Sequence, residues 1–150
     1  MGCEIGQERE WSHDRSLDWD LLGDPDHQGV QLLVRELNRI YRDEPALWQL
    51  DFDGTGFEWI DANDADQNVL SFCRYSEGRE RALACVANLS GTERPGYRIG
   101  LPRQGAWQVA LDTTMVNGGY RSTEPTPWHG FDHSLTIDLP SMSVVWLVNG

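Results

Sequence analysis

At Pro45 the sequence changes period, and that change sets what the chain can fold into. Before it, Val30, Leu33, Val34, Leu37, Ile40 and Tyr41 recur at helical spacing, with Arg35, Glu36, Arg39 and Arg42 on the other face. Asp24 suits an N-cap and Pro25 the first helical position, so a helix is expected through residues 29–43. Pro45 stops it, because proline has no N–H and clashes with the preceding turn.

Beyond Ala46 the apolar residues come in short runs. Strands are expected at Phe57–Ile60, Val69–Tyr75, Ala82–Asn88, Tyr97–Leu101, Trp107–Asp112, Ser134–Ile137 and Val144–Val148. Turn-forming clusters separate them. Short strands at such spacing predict an antiparallel β-sandwich in two packed sheets. Residues 113–133 form a Gly- and Pro-containing excursion too long for a turn. Trp107 and Trp146 sit inside alternating strands and are assigned to the core. Trp11, Trp19, Trp59 and Trp128 are less clearly buried.

The net charge of −12 and the lack of a basic cluster argue against nucleic acid and anionic membranes as partners. No stretch nears the roughly 20 apolar residues of a membrane span, and no signal peptide opens the chain, so a cytoplasmic location is the default expectation. Cys3, Cys73 and Cys85 have no metal-ligand spacing and read as buried free thiols, with Cys73 and Cys85 expected to face each other across a hairpin.

Metal motifs fail on inspection. The run Asp51-Phe52-Asp53-Gly54-Thr55-Gly56 opens like a calcium loop, but Ala62 stands where a bidentate Glu belongs. A loop starting at Asp64 fails at Val69 and Tyr75. His129 and His133 are four apart, yet Pro127 and Gly130 argue against the helix that would align them. No metal or cofactor is implied, and no carboxylate pair or nucleophile elbow stands out. The aromatic residues carry the remaining chemistry: flat rings can stack on the CH-rich faces of sugars.

The front segment is unlike an ordinary domain start. Met1–Gln7 with Glu10-Trp11, then Ser16-Leu17-Asp18-Trp19-Asp20-Leu21-Leu22, resembles bacterial 1,4-α-glucan (glycogen) branching enzymes, which are family 13 glycoside hydrolases. The resemblance continues through Gly29-Val30-Gln31, Leu33-Val34-Arg35, Leu37-Asn38, Tyr41-Arg42, Leu50-Asp51-Phe52-Asp53, Gly56-Phe57-Glu58-Trp59 and Trp146-Leu147-Val148. It implies that residues 1–45 are the end of the last strand, the loop and the helix of a (β/α)8 barrel. Residues 46–150 would then be an amylase-type C-terminal all-β domain.

The resemblance also implies a fragment. The nucleophilic Asp, acid/base Glu and third Asp of such enzymes lie on earlier barrel strands, and none maps onto this chain. The implied partners are α-glucan chains and the rest of the catalytic barrel. Barrel active sites lie in the loops after the strands, so Glu4, Gln7 and Trp11 are expected at the rim of a sugar cleft. Trp59, beside the Gly54–Gly56 turn, is expected as a glucan platform. The alternative is a stand-alone glucan-binding or structural β-sandwich module.

Overall fold

Helix α1 runs Pro25–Asp43 in the computed structural model, which describes residues 1–114 and 118–149. Its start follows the capping logic: Asp24 Oδ1 accepts from the Asp26 N–H at 2.8 Å, and the Asp24 carbonyl takes the Gln28 N–H at 3.1 Å. Ile40 is buried, and Val30, Leu33, Val34 and Leu37 are half-buried. Tyr41 is exposed, so it lies off the stripe to which its spacing assigned it.

The chain forms two compact units, Met1–Asp43 and Glu44–Gly150. In the first, a 3-10 turn at Cys3–Ile5 stands where the resemblance places a strand end. Gly2 and Gly6 flank it in the left-handed region, at φ 93° and 64°. A strand needs a neighbour for its ladder, and the described residues 1–43 form only 3-10 turns and α1. His27 Nδ1 donates to the carbonyl of the fully buried Ile5 at 2.8 Å, tying turn to helix.

The second unit is a sandwich. Its strands are β1 (Phe57–Asp61), β2 (Val69–Tyr75), β3 (Ala82–Asn88), β4 (Arg94–Leu101), β5 (Ala106–Asp112), β6 (Tyr120–Ser122), β7 (His133–Leu139) and β8 (Ser143–Asn149). One sheet has the order β1-β2-β3-β8-β5-β6, the other pairs β4 with β7, and every pairing among them is antiparallel. This is the expected mainly-β architecture. The only helical turn beyond residue 60 among the described residues is the 3-10 turn Glu77–Arg79, broken by Gly78 at φ 62°. No helix among the described residues is long and apolar enough to cross a membrane.

Alternation sorts the side chains. Val69, Cys73, Val86, Trp107, Val145 and Leu147 point inward against Ile99, Leu101, Leu135 and Ile137. All of β3 is buried, because its other face is covered too. There Leu83 and Cys85 pack with Ala46, Leu47, Phe72 and Trp146. Glu44 secures that cover: it accepts from the Ala46 N–H at 3.1 Å and pairs with Arg81 Nη2 at 2.5 Å.

Four sequence expectations need correction here. Trp107 is fully buried, but Trp146 is half-buried on the outer face of the large sheet. It neighbours the inward Val145 and Leu147, so the pleat turns it away. Cys85 lies opposite Phe72 and Cys73 opposite Ala84, so the two thiols occupy opposite faces of the sheet. A one-residue offset reverses a side chain, and no disulfide can form between them without a register slip. All three cysteines are free, but Cys3 is exposed rather than buried; burial pushes the Cys73 and Cys85 thiols up to about 12 and about 11. Within residues 113–133, β6 pairs with β5, giving structure to part of the expected excursion; residues 115–117 lie outside the described residues.

Candidate functional site

Strand β1 is short, edge-placed and aromatic. Phe57 and Trp59 share its outer face, while Ile60 joins the core and Glu58 turns the same way. Trp59 is paired in register with Phe72 of β2. The three rings form one cluster. Phe57 meets Trp59 edge-on at 4.9 Å and stacks on Phe72 at 5.3 Å, and Trp59 meets Phe72 edge-on at 6.1 Å. Such contacts fix ring orientation and contribute about 0.5–1.5 kcal/mol each. Trp59 nonetheless remains 50% exposed. The Trp59 ring is therefore held but not consumed by packing.

The opposite face of β1 anchors it. Glu58 Oε2 accepts from the Tyr75 hydroxyl at 2.7 Å and pairs with Arg79 at 3.3 Å. The Arg79 guanidinium lies 4.1 Å from the centre of the Tyr75 ring. Burial, with the nearby Glu58 carboxylate, pushes the Tyr75 phenol above its usual range. Asp53 closes the preceding turn, accepting from both the N–H and the hydroxyl of Thr55 at 2.9 and 2.8 Å.

In the front unit, Glu4 accepts from the Gly2 N–H at 2.9 Å. Gln7 is committed at both ends of its amide: Oε1 accepts from the Asp18 N–H at 3.1 Å, and Nε2 donates to the Arg9 carbonyl at 2.9 Å. An Arg9–Asp18 ion pair closes the same loop and holds the Asp18 carboxyl below its usual range. Trp11 is 46% exposed. Gln7 and Trp11 line one crevice of about 10 Å³, and Glu4 does not. That volume holds a water, not a sugar ring.

The Trp128–Phe131 turn escaped the sequence reading. Trp128 and Phe131 exchange two backbone hydrogen bonds of 2.9 Å across His129 and Gly130, both at positive φ (52° and 81°). That is a two-residue hairpin of the I′ kind, in which Gly130 suits one of the two positive-φ positions. It is not a helix, and His133 lies in β7, so the two histidines do not converge through helical spacing. Among the described residues no three His, Cys, Asp or Glu side chains could jointly hold a metal.

Residues 59–150, the sandwich from Trp59 onward, match the alpha amylase C-terminal all-beta domain. The chain belongs to that family. This amylase-type domain and the unit before it match longer proteins together. The 1,4-alpha-glucan branching enzyme GlgB of Frankia casuarinae is 48% identical over 98% of this chain and 19% of its own length. The Myxococcus xanthus enzyme of the same name is 45% identical over 100% and 22%, and that of Aquifex aeolicus 41% over 98% and 25%. The chain thus spans about a fifth to a quarter of the relatives it matches, and corresponds to their C-terminal region. Among solved structures, trehalulose synthase MutB from Pseudomonas mesoacidophila MX-45 superposes with TM-score 0.51 at 21% identity, over 85% of this chain and 19% of that one. A MutB variant in complex with sucrose gives 0.53 at 19%, with the same coverage. These likenesses are of fold.

Proposed function

We propose that this chain serves as the C-terminal part of a glycogen branching enzyme. The observation that carries this is the 48% identity to a branching enzyme over 98% of the chain, which takes in both compact units. On this reading residues 1–45 are the closing loop and helix of a (β/α)8 barrel, and residues 46–150 the all-β domain that follows. The half-buried stripe Val30, Leu33, Val34 and Leu37 suits a helix packed on further barrel elements.

The parent reaction would break an α-1,4 link through a covalent glycosyl-enzyme, with retention, and pass the chain to a 6-hydroxyl to form an α-1,6 branch. Its nucleophile and acid/base belong to barrel strands outside this sequence, so the chain alone neither branches nor hydrolyses glucan. Glu4, Gln7 and Trp11 are proposed at the rim of the cleft, where Glu4 and Gln7 shape the loop and Trp11 offers a ring. Trp59 is proposed as a platform for a glucan held away from the cleft. A cytoplasmic setting goes with this reading.

A chimera tests the reading. The C-terminal region of the Frankia casuarinae enzyme is replaced by this chain, and branching is followed by the loss of amylose–iodine absorbance. Branching by the folded chimera is expected. A folded, soluble chimera without branching would overturn the proposal. In the same chimera Trp59→Ala should weaken glucan retention by about 1 kcal/mol.

A further inference from the structure

A groove of about 570 Å³ crosses β4, bounded by the turn after β1 and by the Trp128–Phe131 hairpin. That is within the range of ligand sites. Phe57, Trp59 and Phe72 do not line it, so it is separate from the aromatic face of β1 and β2. We propose that this groove is a second carbohydrate site, which takes a short stretch of α-glucan with one sugar ring stacked on Trp128. The ligand class rests on the branching-enzyme reading; the groove does not.

The turn that carries the ring is prebuilt. Trp128 is 45% exposed, yet its backbone is locked by the reciprocal bonds to Phe131. The hairpin lies directly on β4 at Gly100, where a Cβ would fall 2.0 Å from the Trp128 carbonyl oxygen. Only glycine permits that approach. The Gly100 N–H donates to His129 Nδ1 at 3.4 Å, so the neutral ring carries its proton on Nε2, 3.5 Å from Asp61 Oδ2.

The polar groups beside the ring suit hydroxyls. Asp64 Oδ2 accepts from the Tyr97 hydroxyl at 2.7 Å, which fixes both. Arg94 Nη2 donates to the Gln67 carbonyl at 3.1 Å, which holds its guanidinium beside the groove, while its Nε is buried. Acceptors and donors thus stand together, and a sugar hydroxyl is both. Charge points the same way: Asp61, Asp64 and Glu93 line the groove together with Arg94 and with Arg98, whose guanidinium pairs with Glu124 at 2.9 Å. A polyanion meets three carboxylates and a cation meets two guanidiniums. A neutral polyhydroxylated chain meets neither penalty.

The test follows the indole N–H signals of the seven tryptophans in the 15N-labelled full chain during titration with maltoheptaose. Loss of one signal in Trp128→Phe identifies Trp128. The Trp128 signal should shift at millimolar maltoheptaose, and should still shift in Trp59→Ala. Followed at the Gly96 and Tyr97 amides, Trp128→Ala should weaken binding roughly two- to twelvefold, and Trp128→Phe should retain most of it. A moving Trp59 signal with a still Trp128 signal overturns this site alone. Shifts at neither overturn it together with the Trp59 platform, while the chimera separately decides the branching-enzyme reading. Equal shifts with inorganic phosphate would make the groove an anion site and end the proposal.

Discussion

The two units are held together by different forces. In Glu44–Gly150, large apolar side chains such as Trp107, Leu83, Ile99 and Leu147 are fully buried between and over the sheets. In Met1–Asp43 the buried apolar side chains are Ile5 and Ile40, and the rest is turns, glycines at positive φ and polar bonds among Gln7, Arg9 and Asp18. Burial of apolar area yields about 25 cal/mol per Å², whereas exposed polar pairs yield little. The front unit can therefore hold a shape without holding it strongly. On the proposed reading, the remaining barrel elements would supply the missing support.

The sharpest way to break this contrast is hydrogen exchange. Amides of β3 should open only with global unfolding, at about 5–15 kcal/mol, and amides of residues 9–18 at close to zero. Equal protection in both would show the front unit to be an independent core.

Next in size is Trp107→Ala, which empties a fully buried site and should cost the sandwich about 3–5 kcal/mol in denaturant unfolding. Gly100→Ala should follow at about 1–3 kcal/mol, because its Cβ would meet backbone, which cannot rotate away as a side chain can. A neutral Gly100→Ala would mean the Trp128 hairpin is not seated on β4.

The smallest effect is a pH dependence at His129. Burial lowers its pKa below the usual value of about 6.5, against the opposing pull of Asp61. The folded chain then binds fewer protons than the unfolded one, so the contribution is complete above about pH 6.5 and is lost as pH falls through the folded value. Melting temperatures at pH 7 and pH 5 should differ less in His129→Asn, which tolerates the same φ of 52° without titrating. An unchanged difference would remove His129 from the account.

Period and punctuation determined much of this protein in advance. Helix α1, its Asp24 cap and the bounds of β2 and β3 follow from local spacing, because neighbouring residues supply those signals. Other features belong to pairing between distant segments. The three-residue β6 exists because β5 offers it a ladder, and β4 starts at Arg94 across a bulge at Pro95-Gly96 that reads locally as a turn. The same holds for which way a ring faces. Alternation grouped Phe57 with Trp59 but could not say which group lay inward; the second sheet, packing on Ile60, decided it. Trp146 faces outward for the same reason, and Cys73 and Cys85 part because one register, set by the whole β2–β3 hairpin, places them on opposite faces. The Trp128 groove joins β1, β4 and a hairpin far apart in sequence, and no local pattern can specify a surface whose walls meet only after the sheets close.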